Sequence, residues 1–172
     1  MNKMQSSSFR QSDFNTLDDD DFRALAKNLL GFERIFLGTP RQSSNALAQV
    51  WRMIRAYGET ENPLVMDRYT QFRLELADHD CLYSTIAAKL SRGEALGPEV
   101  SFLKLNQTQL FQRITEFGME LAGQDAANLE PAEGARDLHA AGQFLASRAA
   151  TIYGGTSEVQ KNILAKTVLG LG

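Results

Sequence analysis

Two glycines followed by two hydroxyls and a carboxylate, Gly154-Gly155-Thr156-Ser157-Glu158, form the string whose residue types and spacing most directly suggest chemistry. Glycine adopts backbone conformations closed to other residues, so a glycine pair opening a helix can turn exposed N–H groups toward an oxygen or a phosphate. Thr156 is placed to cap that helix through its hydroxyl. The same string also serves as an ordinary loop leading into a capped helix, so alone it names no reaction. Other reactive side chains are scarce. The one cysteine, Cys81, and the two histidines, His79 and His139, have no short ligand spacing, which argues against a metal site. A single thiol cannot form an internal disulfide and suits a reducing cytoplasm. His79 falls on an apolar helical seam, and both it and Cys81 read as packing residues.

The elements that must position this turn read as helices. Residues 1–15 are rich in Ser, Gln and Asn and read as a disordered tail, because they cannot bury enough apolar area to offset the entropy of ordering. Thr16, followed by Leu17 and four aspartates, reads as a helix start with acids in its first turn. Phe22, Leu25, Leu29, Phe32 and Phe36 then repeat at helical steps, and Gly31 and Pro40 are candidate breaks before Leu47, Val50, Ile54 and Tyr57 resume the pattern. Asn62-Pro63 is a strong restart. From it Val65, Tyr69, Phe72, Leu76, His79, Tyr83, Ile86 and Leu90 step alternately by four and three, the seam of helices packed at shallow angles, until Gly93. Gly97-Pro98 opens a third helix whose stripe is Val100, Leu103, Leu110, Ile114, Phe117 and Leu121, interrupted by Gln107 and closed by Gly123. Residues 124–134 read as a loop, followed by a short helix through Phe144 and Leu145 to Ala150. A last helix runs from Thr156 to about Leu169. No alternating strand pattern occurs, so the expected class is all-α, an up-and-down four-helix bundle over residues 16–172.

A chain of 172 residues with 43% hydrophobic content is enough for one core-bearing domain. Its net charge of −3, without a Lys or Arg cluster, argues against a nucleic-acid surface. The N-terminus has no apolar signal-peptide core, and no apolar run is long enough to cross a bilayer, so no membrane partner is expected.

The C-terminal run ATIYGGTSEVQKNILAKTVLGLG resembles the signature of acyl-CoA dehydrogenases, in which an aromatic, a two-residue turn, Thr-Ser-Glu or Thr-Ser-Gln and an Ile/Val-Gln-Lys/Arg helix recur in this order. Here these are Tyr153, Gly154-Gly155, Thr156-Ser157-Glu158 and Val159-Gln160-Lys161. The resemblance covers residues 30–172 well and 18–30 weakly, and it implies the family's C-terminal helical domain, FAD as cofactor, an acyl-CoA thioester as substrate, and a homodimer or tetramer. Many members carry their catalytic Glu immediately before the second glycine of the turn, where this chain has Gly154. A branch similar to isovaleryl-CoA dehydrogenases keeps it far upstream in a Glu-Arg pair followed by apolar residues, and Glu33-Arg34-Ile35-Phe36-Leu37 fits that arrangement. By resemblance, Glu33 is the base that removes the α-proton, with the β-hydride passing to the flavin. Gly154 N–H is a donor to the thioester oxygen, and Arg34 and Gly155 lie on the substrate side. Thr156 and Glu158 match flavin contacts. Phe32, Ile35 and Phe36 are expected to keep Glu33 dry and raise its proton affinity.

Two family strings depart. Where members have Arg-x-Gln-Phe-Gly, whose arginine holds the flavin pyrophosphate across a subunit contact, this chain has YGETENPL, with Arg52, Arg55 and Arg68 nearby. The Gln-x-x-Gly-Gly stretch appears as Glu120-Leu121-Ala122-Gly123-Gln124. The family's N-terminal helical domain and β-domain are not in this sequence, so a partner chain or a larger gene product is expected to supply them. The competing reading is a non-catalytic helical assembly protein that kept the bundle.

Overall fold

In a computed structural model, residues 33–127 and 140–171 are described, and among them every regular element is helical. The tail expected at 1–15, the helix start at Thr16, Phe32 and His139 lie outside the described residues. Residues 33–37 form a helical turn that ends at Gly38, whose N–H donates to Arg34 O at 2.8 Å. The break expected near Pro40 is therefore real: α1 begins behind it and runs Arg41–Ala56. Helix α2 spans Pro63–Ser91. Asn62 caps it by accepting from Leu64 N at 3.1 Å, with Pro63 in the first turn where no N–H is missed. Helix α3 spans Glu99–Ala122, α4 Ala140–Ala150 and α5 Ser157–Val168.

The architecture is organised around α3, which contacts each of the other four numbered helices among the described residues. Its buried residues occupy more than one stripe: Leu103, Leu110 and Ile114 fall on the expected face, while Leu105 and Phe111 are buried on others. A helix apolar around most of its circumference must be enclosed, and the sequence meets that demand by packing helices on several sides. The main core joins Leu47, Val50 and Ile54 of α1 to Phe72 of α2 and to Leu110, Ile114 and Phe117 of α3. A second cluster joins Ile35 to Ile86 of α2 and to Val100 and Leu103 of α3, which ties the 33–37 turn to the bundle.

The α2 seam is correct in phase, but only Phe72, His79 and Ile86, seven apart, are fully buried. The residues between them are half-buried because α2 covers one side of α3 and faces solvent along the rest. Tyr57 departs from its expected core position. It stands at the C-terminal end of α1, 40% exposed, because the chain turns away there through Gly58. No described helix is long and apolar enough to cross a membrane.

Candidate active site at the glycine turn

The turn between α4 and α5 is built from two glycines that both lie in the left-handed region, Gly154 at φ +66° and Gly155 at φ +95°. L side chains avoid this region because their Cβ crowds the backbone. A Cβ added at Gly154 would also collide with Leu37 Cδ1 and would stand 3.7 Å from Glu33 Oε1. Glu33 and Gly154, 121 positions apart in the chain, are thus brought face to face, with Leu37 packed against the turn. Thr156 is in extended conformation and caps α5, accepting from Val159 N at 3.4 Å. Glu158 follows in the first helical turn. Its own backbone N–H and the Thr156 hydroxyl hold its carboxyl below the usual range.

The surroundings of Glu33 differ from expectation. Glu33 is exposed and Phe36 is 75% exposed, whereas Ile35 is buried in the core. The reason is helical phase: Phe36, three residues on, shares the outer face with Glu33, and Ile35 points to the opposite side. The described residues therefore supply no dry pocket for this carboxylate. Arg34 is half-buried, and its Nε is buried without a hydrogen-bond partner among the described residues.

Two residues behind the turn were given no role from the sequence. Lys104, in the second turn of α3, is 0% exposed, and its Nζ donates to Gly155 O at 2.7 Å. Gln160 of α5 is also fully buried and donates through Nε2 to Gly154 O at 2.9 Å. Each glycine carbonyl is held by one buried donor. Burial, followed by the charge of Arg34, lowers the proton affinity of Lys104, and Glu158 partly opposes this. The signal that points to Lys104 in the sequence is its position within α3, where the apolar arc is too wide to leave a lysine outside.

The other sequence candidates fall elsewhere. His79 is a satisfied core histidine: its Nε2 donates to Gly38 O at 2.8 Å, and its Nδ1 meets the Asn106 amide Nδ2 at 3.1 Å. It thereby braces the loop that follows the Glu33 turn. Cys81 is exposed. Arg68 is bound by both carboxylate oxygens of Glu120 and lies 4.7 Å from the Phe117 ring centre. Arg68, which follows the first departed string, and Glu120, which opens the second, are thus used on each other.

The family model described as acyl-CoA dehydrogenase, C-terminal domain, matches residues 22–169. A curated relative, acyl-CoA dehydrogenase IpdE1 of Mycolicibacterium smegmatis, is 29% identical over 176 residues, covering 93% of this chain and 43% of that protein. Among solved structures, a steroid ACAD variant superposes with a TM-score of 0.74 at 20% identity, over 87% of this chain and 40% of its own. Butyryl-CoA dehydrogenase from Megasphaera elsdenii gives 0.68 at 16% identity, over 81% of this chain and 37% of its own. The chain spans less than half the length of each of these relatives, and the two superpositions speak to the fold alone.

Proposed function

The chain belongs to the acyl-CoA dehydrogenase family as its C-terminal helical domain, and from that premise we propose that it forms the base-bearing wall of a site that dehydrogenates an acyl-CoA thioester between its α and β carbons. The observation that carries this reading is the approach of Glu33 Oε1 to Gly154, 3.7 Å from the point a Cβ there would occupy. The family's two placements of the carboxylate correspond to these two positions, and here they border one space.

In this reading Glu33 accepts the α-proton at a carboxylate oxygen, and Gly154 N–H donates to the thioester oxygen as negative charge gathers on it. Arg34 and Gly155 line the substrate side, and Thr156 and Glu158 the cofactor side. The positive-φ glycines leave an approach that side chains would fill, which suits the reacting end of a flavin and a thioester held close to backbone. FAD, when bound, supplies the acceptor for the β-hydride. The segment from Tyr57 to Leu64 has no arginine and Arg68 is engaged by Glu120, so no pyrophosphate contact is assigned there. Because Glu33 is exposed in this chain, water must be excluded by the thioester together with the rest of a full-length site. That remainder comes from a partner chain or a larger gene product, acting as a homodimer or tetramer in the cytoplasm.

The test is flavin reduction by a panel of acyl-CoA thioesters, with the chain that completes the site present. Glu33→Gln should abolish reduction and leave thioester binding largely intact, and Gly154→Glu in that background should restore part of the rate. If the wild-type assembly reduces no flavin with any thioester, Glu33 is not the base. A non-catalytic assembly role then becomes the better reading, favoured by the exposure of Phe36, Ile152, Leu169 and Leu171.

A further inference from the structure

Among the described residues Lys104 is the one lysine or arginine that is fully buried, and no carboxylate there forms an ion pair with it. Removing an ammonium group from water is expensive, and a neutral amide such as Gln160 holds a carbonyl without that cost. A charge at this place is therefore poorly explained as a clamp alone.

The geometry of the turn gives it another use. The peptide units are trans and planar, so each N–H points opposite the carbonyl of the same unit. Gly154 O is held inward by Gln160 and Gly155 O by Lys104. The N–H groups belonging to those units, on Gly155 and Thr156, consequently point away from the buried side. A donor on a carbonyl also polarises its amide and strengthens the N–H at the far end, and a charged donor does so most.

We propose that Lys104 is a positioning residue of the candidate site: by holding the Gly155 carbonyl with a charged donor it orients and strengthens the Thr156 N–H, while Gln160 orients the Gly155 N–H. The turn then presents two successive donors to an oxygen of the bound ligand. The inference rests on the dehydrogenase reading for its purpose, but not for its mechanism, which belongs to this chain's own turn.

The experiment is carbon-detected NMR of the full chain, following the Gly155 carbonyl ¹³C and the Thr156 ¹⁵N through a titration from neutral to alkaline pH. Both signals should move in one step below the ordinary lysine range, while the Gly154 carbonyl, held by Gln160, moves much less. Lys104→Met, similar in volume and without charge, should abolish the step and slow flavin reduction in the completed assembly about tenfold, the usual scale for a strengthened donor of this kind. If no step occurs in the wild type, or if it survives in Lys104→Met, the inference is overturned, whatever the flavin assay gives. A normal flavin-reduction rate in Lys104→Met overturns the positioning role and leaves a structural clamp. If Lys104→Met fails to fold, as read by circular dichroism, the wild-type titration alone decides. A clear step together with no flavin reduction in the wild type supports the turn mechanism and sinks the dehydrogenase reading instead.

Discussion

Replacing Gly154 by alanine tests whether the glycine turn is held in the conformation described, and the contact with Leu37 allows its cost to be split. At φ +66° a non-glycine residue is disfavoured by about 1 kcal/mol or somewhat more. The new Cβ also collides with Leu37 Cδ1, the free end of a half-buried side chain. Moving that end off its preferred rotamer adds about 1 kcal/mol. Gly154→Ala should therefore destabilise the domain by about 2 kcal/mol, a fall in Tm of about 4–8 °C for a chain of this length. In a Leu37→Ala background the collision is gone and only the backbone cost remains, so the same substitution should lower Tm by about half as much. Thermal unfolding of the four proteins by far-UV circular dichroism gives a coupling energy of about 1 kcal/mol. Equal losses in both backgrounds would mean that Leu37 does not rest on the turn. No loss in either would mean that Gly154 is not held at positive φ, and the close approach of Glu33 would lose its basis.

Burial, partly opposed by the Gly38 carbonyl and by Asp80, holds the proton affinity of His79 below its ordinary value. The unfolded chain therefore binds more protons near and below pH 6.5, and stability should fall as pH drops from 7 toward 5.5, with a slope of at most about 1.4 kcal/mol per pH unit for one group. Chemical denaturation across that range should give a shallower slope in His79→Gln, and equal slopes would refute this account. Association should bury the exposed Ile152, Val168, Leu169 and Leu171, so light scattering of the full chain should give a dimer or tetramer. A monodisperse monomer at micromolar concentration would count against that expectation.

Helix identity was legible in the sequence wherever a cap and a seam agreed. Asn62-Pro63 and the four-three spacing of Phe72, Leu76, His79, Tyr83 and Ile86 locate α2, and Thr156 locates the start of α5, because capping and periodicity are local properties. The Glu33 turn was legible only in part. Its apolar neighbours suggested a dry carboxylate, but whether Phe36 covers Glu33 or stands beside it in solvent depends on which face of the turn meets the bundle, and Ile35 takes that role. Lys104 was not legible as a site residue because its partner, Gly155, is 51 positions away and a lysine between leucines ordinarily keeps its charge in water. Gln107, read as an interruption of the third stripe, is fully buried, and neither amide atom has a hydrogen-bond partner among the described residues, for which nothing in the structure gives a reason.

The enclosure of α3 by α1, α2, α4 and α5 bears on how the chain matures during synthesis. The carbonyl that Lys104 holds belongs to a segment translated long after α3, and the residues facing Glu33 are translated later still than those of α1. While the ribosome is making α4, the ammonium of Lys104 has neither its acceptor nor its cover, and water must solvate it. The first three helices can collapse together by then, but the interior of α3 stays open on one flank until α5 emerges. A nascent chain stopped before Gly155 would thus expose a charged and apolar cleft of the sort chaperones bind, and the emergence of α5 is the event that closes it.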